Sequence, residues 1–146
     1  MYWGVKSGTG KSRIVSDLAG DDAYWFMPSG RDSVWFDGYC GQPVAVFDDF
    51  DGPQVPFRTM LRVLDCHPFR APIKGGSANW APRKIYITSN VPPELWYRDS
   101  EGLDVRPLLR RLDRVHQVEE PIYPDIGDNV EDPFLVGSAA VRFGQQ

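Results

Sequence analysis

The sequence has few of the residues that build membrane spans, disulfides or metal sites. No run of about 18 apolar residues occurs, so no transmembrane helix is expected. The first residues lack the charged start, apolar core and cleavage site of a signal peptide. The chain has two cysteines and two histidines, and their spacing matches no zinc-binding pattern. Cys40 and Cys66 are therefore expected to be buried free thiols in a reducing compartment.

Charge is unevenly distributed along the chain, whose net charge is −4. Residues 119–146 carry six acidic side chains and one basic one, whereas residues 1–118 carry 14 acidic and 15 basic side chains. A nucleic-acid-binding domain usually shows a clear basic excess, so the bulk charge neither supports nor excludes one. The change in composition predicts one folded domain over residues 1–118 and an acidic tail containing Pro and Gly over residues 119–146.

Short β-rich runs alternate with helical patterns through the first 118 residues. This alternation predicts an α/β domain with a central, mostly parallel sheet. Apolar runs at 44–47 and 84–88 predict buried strands, and helices are predicted over 11–18, 56–65 and 105–112. Runs at 69–73 and 79–82 flank Gly75-Gly76 and predict a β-hairpin.

A glycine-rich turn precedes the first predicted helix. Gly8-Thr9-Gly10-Lys11-Ser12 matches the end of the pattern GxxxxGK[ST], whose glycines let backbone N–H groups surround phosphates at a helix N-terminus. Lys11 is expected to reach the β- and γ-phosphates, and the Ser12 hydroxyl to bind Mg²⁺. The leading glycine of the pattern would fall at Val5, whereas Gly4 lies one place earlier. Taken alone, the motif also fits a glycine-rich surface turn.

Two adjacent carboxylates follow the apolar run 44–47. The carboxyl ends of strands in open α/β sheets are where ligands bind. We assign Asp48 to Mg²⁺ and Asp49 to activation of the attacking water, with the reverse order left open. Neighbouring side chains on a strand point in opposite directions, so both can serve only where the backbone is irregular. The alternative is a pair of acids at a solvated turn.

Small polar residues end the other predicted buried strand, 84–88. Asn90 offers two donors and an acceptor, which would suit a contact with both the γ-phosphate and the attacking water. An ordinary strand-to-turn exit before Pro92-Pro93 is the alternative.

These three motifs, in this order, resemble those of superfamily 3 helicases, and in particular the replication-associated proteins of circoviruses and related circular single-stranded DNA viruses. Further segments extend the resemblance over residues 2–118. They are Trp35-Phe36-Asp37-Gly38-Tyr39, Lys74-Gly75-Gly76, Ile87-Thr88-Ser89-Asn90 and Leu109-Arg110-Arg111-Leu112.

The resemblance implies a three-layer P-loop ATPase that hydrolyses ATP with Mg²⁺ and forms a ring, expected to be hexameric, around single-stranded DNA in the host cell nucleus. Lys74, on the hairpin with Gly75 and Gly76, would grip backbone phosphate. Either Arg110 or Arg111 would reach the neighbouring subunit's site as an arginine finger, with a slight preference for Arg110.

Plainer roles are open for some of these residues. The arginine pair also fits a solvated helix face or a salt bridge to Asp104. Trp80 is expected to pack at the foot of the hairpin rather than stack on a base.

Two other functions stay open at this point: an RNA helicase of a picorna-like virus, and an inactive nucleotide-binding or oligomerisation fragment. Only three residues precede Gly4, so the first strand of the domain is expected to be truncated. For the same reason, no origin-nicking endonuclease is expected in this chain.

Overall fold

The computed structural model of the chain describes residues 1–30 and 33–119. The predicted tail therefore lies outside the described residues, apart from Glu119. In chain order the elements are β1 (Tyr2–Trp3), α1 (Lys11–Ala19), β2 (Tyr24–Trp25), β3 (Val44–Phe47), α2 (Phe57–Val63), β4 (Phe69–Ile73), β5 (Gly76–Trp80), β6 (Lys84–Ser89), α3 (Arg106–Leu109) and β7 (His116–Gln117). A short 3₁₀ turn, Pro93–Leu95, precedes α3.

Five of the strands form one parallel sheet, in the order β2-β3-β6-β1-β7. Strand β1 lies between β6 and β7, while β2, the next strand along the chain, lies at the far edge. Because all five strands run in the same direction, the loop after β1 and the ends of β3 and β6 meet at one edge of the sheet. We call this the carboxyl edge.

Side chains that alternate along the strands build a separate core on each face of the sheet. In β3, Val46 joins a core that Ile14 and Val15 of α1 complete. Ala45 and Phe47 point to the other face, where the larger core includes residues of α2, α3 and the β4–β5 hairpin together with residues of the connecting loops. Helices thus cover both faces of a parallel sheet, which confirms the predicted three-layer α/β fold.

Trp80 is the centre of the larger core. Its indole N–H donates to the Val63 carbonyl at 2.9 Å, and its ring contacts the rings of Tyr39 and Phe36 with centroid separations of 4.6 and 5.1 Å. The side chain is 3% exposed, so it is not available to stack on a base. The expectation that Trp80 packs at the foot of the hairpin is confirmed.

Several boundaries differ from the predictions. Helix α2 begins at Phe57 because Pro56 has extended backbone and serves as its N-cap, and α3 is a single turn, Arg106–Leu109, rather than 105–112. The second hairpin strand begins at Gly76 rather than 79, since only Lys74 and Gly75 form the turn and Ile73 pairs with Gly76. Short-range pattern does not fix where tertiary pairing starts.

The prediction that both cysteines are buried is wrong. Cys40 and Cys66 are free, but both are exposed. Cys40 lies in a turn where its backbone N–H donates to the Gln42 side chain, and Cys66 follows the end of α2. Connecting segments run along the protein surface, so a small apolar side chain in such a segment can be exposed.

None of the helices in the described residues is both long and apolar enough to cross a membrane.

Replacing Trp80 with alanine is expected to lower the free energy of unfolding by about 3–5 kcal/mol, because it removes a large buried ring. Urea unfolding followed by circular dichroism measures the change. Met27→Ala is the matched control, since that apolar side chain is 74% exposed and its loss should leave stability nearly unchanged. Equal effects of the two substitutions would contradict the assignment of Trp80 to the core.

Gly4→Ala is expected to lower the free energy of unfolding by about 1–3 kcal/mol through overpacking. A Cβ at Gly4 would collide with the backbone carbonyl oxygen of Val118, beside the point where β1 leaves the sheet. Gly76→Ala is the control, because a Cβ there meets nothing within 4 Å. Thermal unfolding of both variants checks this expectation, and a Gly4→Ala protein as stable as Gly76→Ala would refute the close approach.

Candidate nucleotide-binding site

The loop between β1 and α1 depends on two glycines with left-handed backbone. Gly8 has φ of 73° and Gly10, the N-cap of α1, has φ of 89°. A Cβ on Gly8 would meet nothing within 4 Å, so glycine is favoured there by conformation rather than by space. These turns curl the chain so that α1 starts at Lys11, with its N-terminus at the carboxyl edge of the sheet.

Lys11 lies at the centre of this loop. Its Nζ donates to the Lys6 carbonyl at 2.8 Å, the Thr9 hydroxyl at 3.1 Å and the Gly4 carbonyl at 3.2 Å. Burial lowers the pKa of Lys11 from its ordinary value, and the negative charge of Asp49 partly offsets that effect. The ammonium is therefore held in place by the loop itself and lies within electrostatic reach of an acid on another element.

Val5, at the position of the expected leading glycine, does not obstruct the loop. Its side chain is 79% exposed, and its backbone does not have positive φ. A valine therefore occupies this position without strain, and its side chain is directed to solvent.

The two acidic positions after β3 meet the start of α1 and the end of β6. The Ser12 hydroxyl donates to Asp48 Oδ1 at 2.7 Å, and the Thr88 hydroxyl donates to the same oxygen at 2.7 Å. Within residues 1–30 and 33–119, Asp48 Oδ2 accepts no hydrogen bond. Asp48 Oδ1 therefore connects the segment after β3 to both α1 and β6, and Oδ2 stays accessible.

Asp49 has the irregular backbone that joint use of the two acids requires. Its φ is 52°, a left-handed value that is uncommon for a residue other than glycine. The Asn90 side-chain amide donates to Asp49 Oδ1 at 3.0 Å, and the Gln54 amide donates to the Asp49 carbonyl at 3.2 Å. Because the backbone turns at Asp49, the Asp48 carboxylate contacts Ser12 on α1, whereas the Asp49 carboxylate contacts Asn90 after β6.

Ser89 ties the segments that follow β3 and β6 beneath these polar groups. Its hydroxyl lies 2.6 Å from the Phe50 carbonyl and accepts a hydrogen bond from the Trp96 indole at 3.1 Å. Both Ser89 and Trp96 are buried at 1% exposure. The end of β6 is therefore anchored in the core, which makes a rigid base for Asn90.

The donor set fits a hard divalent cation and a phosphate group. Ser12 and Asp48 present oxygen atoms, the ligand type that Mg²⁺ prefers. Beside them lie one buried ammonium and a helix N-terminus with glycine-rich backbone, the groups that bind phosphate. Eight predicted site residues thus meet at the carboxyl edge. Gly8, Thr9 and Gly10 form the loop, and Lys11, Ser12, Asp48, Asp49 and Asn90 contribute side chains.

The remaining predicted site residues lie on other elements. Lys74 is the first residue of the hairpin turn, 72% exposed in its side chain, and its backbone N–H donates to Asp37 Oδ1 at 2.8 Å. Its ammonium is 3.9 Å from Asp37 Oδ2, a loose ion pair that leaves it accessible. Lys74 therefore lies at the exposed turn of the hairpin, with an accessible ammonium.

Arg111 has a structural partner in its own chain. Its Nη2 donates to Asp65 Oδ2 at 2.9 Å and its Nη1 to the Pro107 carbonyl at 2.8 Å. It lines a cavity of about 760 Å³ together with Met1 and Lys84, at the opposite edge of the sheet from Lys11. Arg111 is therefore far from the phosphate loop of its own chain.

Arg110 is exposed. Its backbone N–H donates to the Arg106 carbonyl, but its guanidinium makes no hydrogen bond or ion pair within the described part of the chain. The alternative of a salt bridge from the arginine pair to Asp104 is wrong, because Arg106 takes that carboxylate at 2.8 Å.

Asp65, Cys66 and His67 bring three potential ligand atoms within 4.8 Å of one another, although the sequence spacing predicts no such group. Asp65 is already bound by His67 Nδ1 and Arg111, and hydrogen bonds from these two hold the pKa of that carboxyl well below its usual range. These hydrogen bonds account for the proximity of the three side chains, and they hold the segment after α2 in place.

Thr88 and Ser89 contact the segment that carries the two acids, although sequence reasoning gave neither residue an individual role. Both are buried hydroxyls at the end of an apolar strand, and Thr88 is two residues before Asn90. Residues i and i+2 of an extended segment share a face, so this spacing from Asn90 is the signal by which Thr88 could have been found.

Comparison with known proteins places this site in a family. A family model described as RNA helicase matches residues 1–91. The chain is 42% identical over 108 residues to the replication-associated protein of beak and feather disease virus, covering 74% of this chain and 35% of that protein. It is 38% identical over 106 residues to the replication-associated protein of porcine circovirus 2, covering 72% and 32%.

A weaker similarity, 32% identity over 98 residues, links the chain to the genome polyprotein of human klassevirus 1, covering 58% of this chain and 4% of that polyprotein. The chain spans about a third of the length of the two replication-associated proteins. The match over residues 1–91 includes the phosphate loop, the paired acids and the polar end of β6. The chain therefore belongs to the RNA helicase family, of the superfamily 3 type, and within it is similar to the replication-associated proteins of circoviruses.

Proposed function

We propose that this chain is the ATP-dependent DNA helicase module of a viral replication-associated protein. It hydrolyses the β–γ bond of ATP with Mg²⁺ and uses the reaction to move along single-stranded DNA and unwind duplex. The observation that carries the proposal is the 2.7 Å hydrogen bond from Ser12 to Asp48, which joins the phosphate loop to the acidic end of β3.

Each group at the carboxyl edge has a role in this reaction. Lys11 and the N-terminus of α1 bind the β- and γ-phosphates, and Ser12 and Asp48 would hold Mg²⁺. When bound, Mg²⁺ neutralises charge that develops on the phosphate oxygens. Asp49 accepts a proton from the attacking water, and Asn90, bonded to Asp49, sets the orientation of that carboxylate and contacts the γ-phosphate.

We propose single-stranded DNA as the substrate and a hexameric ring as the assembly. The similarity to replication-associated proteins of circoviruses, which the resemblance groups with circular single-stranded DNA viruses, favours DNA and the host cell nucleus. The exposed ammonium of Lys74 on a two-residue turn is suited to a sequence-independent contact with backbone phosphate. RNA is the second candidate substrate, favoured by the description of the matched family.

Lys11→Ala is expected to abolish ATP hydrolysis, because it removes the only buried ammonium of the described part of the loop. Phosphate release is measured with and without single-stranded DNA, and with RNA of the same length. The wild-type chain should hydrolyse ATP faster with DNA. Lys84→Ala is the matched control, since Lys84 is exposed at the start of β6, at the opposite sheet edge, and its loss should leave turnover intact.

Three other outcomes would select different functions. Stimulation by RNA alone would favour the RNA helicase. Normal ATP affinity without phosphate release would favour a nucleotide-binding assembly module. Absence of ATP affinity in the wild-type chain would contradict both the proposed function and that module.

The contacts of the two arginines favour Arg110 as the proposed arginine finger. Arg111 is engaged by Asp65 and the Pro107 carbonyl, whereas Arg110 is exposed next to it on the surface. A finger must reach a neighbouring subunit and so needs an unengaged guanidinium. We therefore propose Arg110 as the finger and Arg111 as the residue that anchors α3 to the end of α2.

Arg110→Ala is expected to lower ATP turnover by about 10³-fold or more while leaving ATP affinity and unfolding temperature unchanged. Arg111→Ala should instead lower the unfolding temperature, since Asp65 loses one of its two side-chain partners and the Pro107 carbonyl loses a donor. Mixing Arg110→Ala with Lys11→Ala subunits should restore part of the turnover, because an intact site can then receive an intact finger. Full activity of Arg110→Ala would refute the assignment.

A further inference from the structure

Thr88 links the two acids after β3 to the end of β6. Its hydroxyl donates its one hydrogen to Asp48 Oδ1 at 2.7 Å and accepts the Asp49 backbone N–H at 2.8 Å. Thr88 is 2% exposed and lies in β6, which pairs directly with β3 in the sheet. A single hydroxyl therefore fixes the carboxylate of one acid and the backbone of the next.

The requirement for this link follows from the backbone at Asp49. Its left-handed φ of 52° is uncommon for a residue with a Cβ and persists where neighbouring groups hold it. Thr88 holds the N–H of Asp49, and Gln54 holds its carbonyl. Without the first contact, the turn can relax toward the extended backbone in which Asp48 and Asp49 point in opposite directions.

The chemical identity of the side chain suits the task. Threonine is branched at Cβ, which restricts its side chain to few rotamers, and burial among strand residues restricts it further. Serine would supply the same hydroxyl with more rotational freedom. Valine has nearly the same shape but can neither donate to Asp48 nor accept from Asp49.

We propose that Thr88 is a positioning residue that orients Asp48 toward the cation shared with Ser12 and holds Asp49 in its left-handed turn. The inference rests on the proposed function, since it assigns Asp48 to Mg²⁺ and Asp49 to the attacking water. Thr88 itself touches neither nucleotide nor cation in this account, and acts only through the two acids.

The first test follows the Asp49 amide in the nucleotide-free chain by hydrogen exchange with NMR detection. Within the described residues the Asp49 N–H donates only to the Thr88 hydroxyl, so slow exchange of this amide would report that bond. The wild-type amide should be protected and Thr88→Ser should retain protection. Thr88→Val should lose it. An Asp49 amide that exchanges at the unprotected rate in the wild-type chain overturns the proposal without any variant.

The second test measures binding of Mn²⁺, as a substitute for Mg²⁺, by electron paramagnetic resonance with a non-hydrolysable ATP analogue present. Thr88→Val should weaken Mn²⁺ binding by about 10- to 100-fold, the usual effect of removing a partner of a metal ligand. Thr88→Ser should stay near the wild type. Thr59→Val, on α2, is the matched control and should change nothing.

Kinetics separate positioning from a general structural role. Thr88→Val should lower kcat for ATP and raise the Mn²⁺ or Mg²⁺ concentration needed for half-maximal rate, with a smaller change in KM for the nucleotide. Wild-type Mn²⁺ affinity together with wild-type Asp49 protection in Thr88→Val overturns the proposal. If the wild-type chain hydrolyses no ATP, the proposed function fails, while amide exchange and Mn²⁺ binding still decide the role of Thr88.

Discussion

The hydrogen bond from the Ser12 hydroxyl to Asp48 Oδ1 holds the two halves of the candidate nucleotide-binding site together. It joins α1, which follows the glycine-rich loop after β1, to the end of β3. In the sheet, β3 lies two positions from β1. The parallel order β2-β3-β6-β1-β7 makes that meeting a consequence of topology, because β1, β3 and β6 all end at the same edge. Ser12 and Asp48 are 36 residues apart in the chain, and only the sheet brings them together.

The two cores hold the strand ends still while leaving the polar groups accessible. In β3, Ala45, Val46 and Phe47 are buried, and the two acids that follow are exposed. In β6, Ile87, Thr88 and Ser89 are buried, and the next residue, Asn90, is exposed. Preorganised polar groups on rigid elements are what catalysis of phosphoryl transfer requires, since the protein contributes mainly positioning and charge. The hairpin, anchored through Trp80 but exposed at Lys74, combines a rigid foot with an accessible tip.

Sequence reasoning identified, from local pattern, residues that the structure brings together at the carboxyl edge, but it missed contacts that depend on distant partners. The phosphate loop, the paired acids and the polar strand end were predictable from spacing, and the alternation of strands with helices predicted the parallel sheet that unites them. The need for irregular backbone at the acids was also foreseen, and Asp49 supplies it. The Arg111–Asp65 pair spans 46 residues, and the role of Thr88 depends on the register between β3 and β6. The exposure of Cys40 and Cys66 follows from turns that composition does not reveal.

The most direct test of the central claim is a crystal structure of the chain with Mn²⁺ and a non-hydrolysable ATP analogue, with the cation located by its anomalous scattering. We expect one Mn²⁺ peak bound by Ser12 Oγ and next to the Asp48 carboxylate, with the analogue's phosphates at Lys11 and the N-terminus of α1. A cation held elsewhere, or a nucleotide bound away from this loop, would contradict the assignment of the carboxyl edge as the site of ATP hydrolysis.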